Sequence, residues 1–239
     1  MYQEILSKKK ELDNRKPYKP EIKEQIKKME LCDLVYTLLR LDGSDVTKDQ
    51  VNHILEGELI IKATVNDHIA IKKYIEVLLF MDDLLAMDSE ISCRILEQFH
   101  EILCEGEGIK LRTSNPTLYT FDYNPPHWKE VDDLLKALIR WTYEEVSEDN
   151  QILKAAYLHH KLIEIYPFEE YSESIARLIL YYSLMREGYP IFELRLSESE
   201  YNVAVMKYLQ DKDVQPFYRA LERSIYNKLE ILLQLTSEE

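Results

Sequence analysis

A short segment, residues 166–177, concentrates groups that could bind ions or move protons. It reads Tyr-Pro-Phe-Glu-Glu-Tyr-Ser-Glu-Ser-Ile-Ala-Arg. Glu169, Glu170 and Glu173 crowd one turn before an apolar helix, where the helix dipole favours negative charge. A carboxylate about 5 Å from a phosphate oxygen costs on the order of 3 kcal/mol at an effective dielectric near 20. Phosphate binding at this turn without a metal should therefore be poor.

The flanking residues extend the pattern on both sides. Upstream stand Ala155-Ala156-Tyr157-Leu158-His159 and Leu162-Ile163-Glu164-Ile165. Downstream, an apolar run closes at Gly188-Tyr189-Pro190. Together these segments resemble the Fic (filamentation induced by cAMP) family, from near residue 42 to near residue 221. The family signature is an upstream His, then His-Pro-Phe-x-Asp/Glu-Gly-Asn-Gly-Arg-x-x-Arg, then a helix that ends in Gly-Tyr-Pro.

This sequence keeps part of that signature and loses the rest. The matching positions are Pro167, Phe168, Glu170 and Arg177. The departures are Tyr166 for the signature His, Tyr171-Ser172-Glu173 for Gly-Asn-Gly, and Ser174 for the first Arg. The resemblance implies that ligand-binding positions fall at Glu170, Ser172, Ser174 and Arg177, with Glu170 also at the metal-binding carboxylate.

The implied activity of relatives is AMP transfer from ATP to a protein hydroxyl, with the signature His as general base. Such a base needs a pKa near the operating pH, which imidazole has. A tyrosine ionises at about 10, and burial raises that value further. Tyr166 is therefore not expected to replace the His. Glu173 and Tyr171 also crowd and charge a loop whose main-chain amides would otherwise cradle phosphate.

Two adjacent histidines precede the motif. His159 lies seven residues before Tyr166, at the family's upstream His position. We predict a hydrogen-bonded core histidine, since about 10 Å along a helix is too far for it to act as the missing base. Because neighbouring residues on a helix face different directions, a metal site shared with His160 is not expected.

The predicted helix end at residues 38–43 has the inhibitory-like sequence Leu-Leu-Arg-Leu-Asp-Gly. It is similar to the family's Ser/Thr-x-x-x-Glu-Gly/Asn segment, in which the Glu pairs with the last Arg and blocks the γ-phosphate. Asp42 takes the place of that Glu. We predict an ion pair between Arg177 and Asp42, Glu170 or Glu173, and we interpret an Asp42 pair as structural rather than as a switch.

The region 109–123 predicts one small β-hairpin. Ile109–Arg112 and Leu118–Tyr123 form its two extended arms around Ser114-Asn115-Pro116. In the family this flap holds a target peptide as an added strand. Arg112 and Tyr119 are the flap residues considered for contact with such a peptide, and a self-packed surface hairpin is the alternative.

The composition of the chain limits the remaining functional classes. The 239 residues carry a net charge of −14, which speaks against nucleic-acid binding. No apolar run reaches the roughly 18 residues that span a bilayer, so no membrane association is expected. The three cysteines include no Cys-x-x-Cys pair, which favours a reducing cytoplasm.

Apolar periodicity predicts an all-α, mainly helical fold with that one hairpin, and the resemblance implies that this fold is Fic-like. A charged N-terminal arm, residues 1–20, precedes a single helical domain, residues 21–239. The predicted helices cover residues 22–41, 48–55, 67–87, 89–103, 128–143, 150–165, 172–187, 197–208 and from about 216 onwards. Thr47 is predicted as an N-cap and Gly43 as a helix stop.

These observations predict a degenerate Fic-domain protein without AMP transfer, acting as a binding or regulatory pseudoenzyme. The alternative is a transferase with altered chemistry, moving a nucleotidyl or other group onto a protein hydroxyl. No cofactor is certain, and ATP with Mg²⁺ should bind weakly at most. A protein or peptide target at the flap and a homo-oligomer are the partners considered.

Overall fold

The computed structural model describes residues 1–58, 63–106, 111–144 and 150–238. Within these ranges no helix combines the length and apolarity needed to cross a membrane. The described residues are mostly helical, as predicted, and they form ten α-helices. The helices are α1 (Tyr2–Asp13), α2 (Pro20–Leu41), α3 (Lys48–Leu55), α4 (Val65–Ala86), α5 (Cys93–Leu103), α6 (Val131–Glu144), α7 (Gln151–Ile165), α8 (Ser172–Arg186), α9 (Glu198–Asp211) and α10 (Gln215–Leu235).

Side-chain caps mark the starts of five of the ten described α-helices. Thr47, Thr64 and Ser197 each accept a hydrogen bond from the third residue of the helix they begin, whose side chain bonds back to the cap amide. Such reciprocal capping satisfies two main-chain N–H groups that the helix leaves unpaired. The predicted cap at Thr47 is confirmed, and Gly43 ends α2 with a left-handed φ of 82°.

Helix α8 lies at the centre of the fold. It packs along α7, with α4 and α5 also against it, and nearly every residue from Ser172 to Tyr182 is buried. The turn that joins α7 to α8 is residues 166–171. The candidate motif is therefore held at one end of the most buried helix pair, so its backbone is set by the core.

Part of the segment predicted as a charged arm, residues 1–20, is helical. Residues Tyr2–Asp13 form helix α1, which packs on α10. Ile5 and Leu12 are buried in that contact. Ile5 and Leu12 lie two helical turns apart and form a narrow apolar stripe on α1. The many charged residues around them obscure this stripe in the sequence pattern.

The predicted hairpin is not found among the described residues. Leu111 pairs with Phe168 of the motif turn, and Leu118 pairs with Tyr123 of its own arm. The second arm is a tight turn that includes a 3-10 helix, Tyr119–Phe121, because Phe121 is buried and pulls the chain inward. Ile109 and Lys110, in the first arm, lie outside the described residues.

Candidate functional site

The turn between α7 and α8 begins and ends on a left-handed residue. Tyr166 has φ of 50° and Tyr171 has φ of 61°. Glycine adopts this conformation without penalty, whereas other residues pay roughly 1–2 kcal/mol. The backbone thus keeps a glycine-type conformation at position 171 while the residue there is tyrosine.

Tyr166 is half-buried and unsuited to taking a proton at neutral pH. Burial raises the pKa of its phenol, the nearby Glu173 carboxylate raises it further, and Arg177 opposes both. The Tyr166 hydroxyl is therefore protonated at neutral pH.

The hydroxyl of Ser172, a predicted ligand-binding group, is turned into the loop. Its Oγ accepts a hydrogen bond from the Phe168 amide at 2.8 Å and donates to the Phe168 carbonyl at 2.9 Å. Ser172 is buried, and its donor and one of its acceptor sites are used in closing the turn. A ligand would have to displace Phe168 to reach it.

Asp42 is the hub of a polar cluster at the start of α8. Its carboxylate accepts hydrogen bonds from the Arg177 guanidinium, the Tyr74 hydroxyl and the Ser174 hydroxyl, the last at 3.2 Å. Arg177 also donates to Ser174 Oγ at 3.1 Å. The predicted ion pair between Asp42 and Arg177 is present, and the Ser174 hydroxyl is hydrogen-bonded to both of its members.

Arg177 is 1% exposed, yet part of its guanidinium is unsatisfied. Its Nε and Nη1 make no hydrogen bond within the described residues. Nη1 lies 4.0 Å from a Glu173 oxygen, and the guanidinium carbon lies 5.6 Å from the Tyr201 ring centroid. Burial raises the pKa of Glu173, and Arg177 opposes that shift. Two donor nitrogens of Arg177 therefore lack hydrogen-bond partners among the residues that the structure describes, although its charge is paired with Asp42.

The other two glutamates of the turn face solvent. Glu169 accepts hydrogen bonds from the amides of Thr113 and Ser114, at 2.8 and 3.1 Å, and so ties the preceding loop to the turn. Glu170 is exposed, and its predicted role as a metal ligand stays a prediction. In the described part of the chain, the one group of three residues close enough to share an ion is His53, Glu56 and Glu58, all of which are exposed.

His159 is a core histidine with both ring nitrogens paired. Its Nε2 lies 2.9 Å from the Tyr201 hydroxyl, and its Nδ1 lies 2.8 Å from Nδ1 of His160. The expectation that the two histidines face different directions is wrong, because their side chains bend toward each other within the core. Burial lowers the pKa of both rings, that of His160 to about 3, so both remain neutral at physiological pH.

Arg112 does not face a peptide, contrary to its predicted place on a flap. The side chain is 1% exposed and its Nε donates to the Tyr166 carbonyl at 2.7 Å. Its two terminal nitrogens donate to the carbonyls of Ser114, Pro126 and Ile165. Arg112 therefore clamps the loop after α5 onto the end of α7, where a cation also complements the helix dipole.

We expect Arg112→Lys to lower the free energy of unfolding by about 2 kcal/mol, because a lysine keeps the charge but loses the fork of donors. Urea denaturation would measure the change, and Arg140→Lys on the exposed face of α6 is the matched control. An Arg112→Lys protein as stable as the control would contradict the clamp.

Tyr119, the second predicted flap residue, is 89% exposed on the turn 118–123. This turn packs against α9. Sequence reasoning missed Tyr74 and Tyr201, the partners of Asp42 and Arg177. Both are tyrosines within helices, and neither their spacing nor their neighbours distinguish them from core aromatics.

Comparison with known proteins agrees with this geometry. Residues 90–184 match the Fic/DOC family. Over 210 residues, or 85% of the chain, the sequence is 25% identical to "Protein adenylyltransferase Fic" of Drosophila persimilis, and a Drosophila ananassae protein of the same name gives the same identity. The chain covers 41% of the first protein and 42% of the second, so it spans about two fifths of these relatives.

Solved structures of low sequence identity share the fold. A Fic-domain-containing signaling protein from Bacteroides thetaiotaomicron matches all of this chain and 98% of its own, with a TM-score of 0.85 and 19% identity. Fic-1 from C. elegans matches 98% of this chain and 70% of its own, with a TM-score of 0.80 and 20% identity. The predicted resemblance to the Fic family is confirmed.

Proposed function

Because the chain has the Fic fold and its residues 90–184 match the Fic/DOC family, we propose that it is a binding or regulatory protein that does not transfer AMP. The observation that carries this proposal is the Asp42 carboxylate. It is held by Arg177, Ser174 and Tyr74 beside the first turn of α8, where an anionic donor would have to bind. A phosphate entering there would find the Arg177 guanidinium already paired with a carboxylate.

Two further features support the loss of transfer. The motif has a protonated phenol at Tyr166 and no imidazole, so a target hydroxyl has no evident base. The side chains of Tyr171 and Glu173 occupy the part of the loop that would present main-chain amides to phosphate. Base, phosphate loop and first Arg are therefore all altered in the same turn.

The direct test is to incubate the protein with labelled ATP, Mg²⁺ or Mn²⁺, and a cell lysate. We expect no protein to become labelled, either with this chain or with Asp42→Gly, in which the fixed carboxylate is absent. Labelling that disappears in Glu170→Ala would overturn the proposal, since Glu170 occupies the family's metal-binding position.

A second function, group transfer from a different anionic donor, is favoured by one observation. Arg177 keeps two buried nitrogens without hydrogen-bond partners, so it could receive an anion if Asp42 withdrew. Calorimetric titration with ATP and ADP, each with Mg²⁺, and with inorganic pyrophosphate distinguishes group transfer from the regulatory role. Saturable binding lost in Arg177→Met favours transfer, whereas no binding of any of the three favours the regulatory role.

A protein partner, rather than a small substrate, is the target we propose for this role. Tyr119 offers an exposed aromatic anchor on the turn 118–123, and aromatic residues are enriched where proteins contact one another. A second copy of the chain is one such partner. Light scattering of the purified wild type and of Tyr119→Ser would distinguish a second copy of the chain from a different protein partner, because only self-association raises the mass measured for the purified protein.

A further inference from the structure

A cavity of about 510 Å³ is lined mainly by residues of α6 and α7, and no residue of the Asp42 cluster lines it. Its long walls are apolar, with Leu134, Ala137 and Trp141 on α6 facing Tyr157 on α7. Along α7 the lining extends from residue 154 to residue 165, which is about 16 Å at 1.5 Å per residue. This volume falls in the range typical of small-molecule sites, and its length suits an extended chain.

The charges on the rim are mainly positive. Lys154 and Lys161 line the cavity, and Glu164 is the one acidic group among the lining residues. Glu164 is neutralised by Lys161 at 2.9 Å and by Lys212 at 3.1 Å. Burial alone would raise the pKa of Glu164, but these two lysines hold it below its ordinary value.

Lys154 is left as the charge that a ligand could use. Its ammonium donates to the Thr142 carbonyl, and no ion pair to it is found in the described ranges. An ammonium has three donors, so this contact leaves it capacity for a further acceptor. The net charge of the whole chain is −14, but the charge of Lys154 at this cavity is positive. The ammonium therefore disfavours a cationic ligand group at its end of the cavity.

We propose that this cavity binds a small aliphatic carboxylate, with the alkyl chain between Ala137, Trp141 and Tyr157 and the carboxylate on Lys154. The proposal goes beyond the proposed function and does not depend on it, since no motif residue from Tyr166 onward lines the cavity. A helical peptide is disfavoured, because an α-helix with side chains is about 10–12 Å across and the groove is enclosed by two adjacent helices.

Calorimetric titration with dodecanoate below its micellar concentration tests the proposal, with dodecyltrimethylammonium as the charge-reversed probe. We expect saturable binding of one dodecanoate and at least tenfold weaker binding of the cation. Circular dichroism during the titration should show unchanged helicity. No saturable dodecanoate binding, or equal affinity for the two probes, would overturn the proposal.

Matched variants locate the site. Ala137→Trp, which fills the cavity from an exposed position, should weaken dodecanoate binding at least tenfold, whereas Lys136→Trp, one residue away and outside the lining, should leave it unchanged. Lys154→Gln should weaken it about fivefold, against no change for the exposed Lys207→Gln. In Trp128→Phe, Trp141 is the one remaining tryptophan, and dodecanoate should shift its emission. Binding insensitive to both Ala137→Trp and Lys154→Gln would place the ligand elsewhere.

Discussion

Replacing Asp42 with alanine should lower the free energy of unfolding by about 3 kcal/mol without producing AMP transfer. Arg177 would then be a buried cation with only Glu173, at 4.0 Å, for partial compensation. The Tyr74 hydroxyl would lose its acceptor as well. Loss of one partner from a buried pair is costly because the remaining charge stays desolvated. Urea unfolding and the labelled-ATP assay would measure the two outcomes together.

The two members of this pair should behave differently when removed. Asp42 is 33% exposed on its side chain, whereas Arg177 is 1% exposed. In Arg177→Met the remaining carboxylate can turn toward water, so we expect a smaller loss than in Asp42→Ala. An Asp42→Ala protein of unchanged stability that labels other proteins would show that the pair is an inhibitory switch rather than a structural contact.

Restoring the signature should create a nucleotide site. In the variant Tyr166→His, Tyr171→Gly, Ser172→Asn, Glu173→Gly and Ser174→Arg, we expect ATP with Mg²⁺ to bind at least tenfold more tightly than to the wild type. Removing one carboxylate about 5 Å from a phosphate is worth about 3 kcal/mol, and tenfold in affinity needs only about 1.4 kcal/mol. Glycine at position 171 also fits the φ of 61° that the backbone already has.

The control is Tyr166→His alone, which should gain no nucleotide affinity because the loop remains crowded and acidic. Adding Asp42→Gly to the restored variant should increase affinity again, since the fixed carboxylate beside α8 is then gone. Calorimetric titration of the four proteins gives the comparison. If the restored variant binds no better than the wild type, the placement of the phosphate loop at residues 171–173 is wrong.

The helices could be predicted closely because each signal was local. Lys48–Leu55 was predicted with both ends correct, since Thr47 and the apolar spacing act within one or two turns. The contact between Asp42 and Arg177 was also within reach, but only through the resemblance. By contrast, the charged sequence of α1 concealed a docked helix, because burial of Ile5 and Leu12 depends on α10, more than 200 residues away.

The identities of the motif groups follow from the amino-acid sequence: position 166 is not a histidine, a serine replaces the first arginine, and three glutamates share one turn. These identities limit proton transfer and phosphate binding through properties of the side chains alone. The directions in which these groups point depend on how the helices pack. Packing of α8 turned Ser172 inward, buried Arg112 against main-chain carbonyls and brought Tyr74 to Asp42. Such contacts join residues far apart in sequence, and their geometry is fixed by how the helices pack rather than by any local pattern.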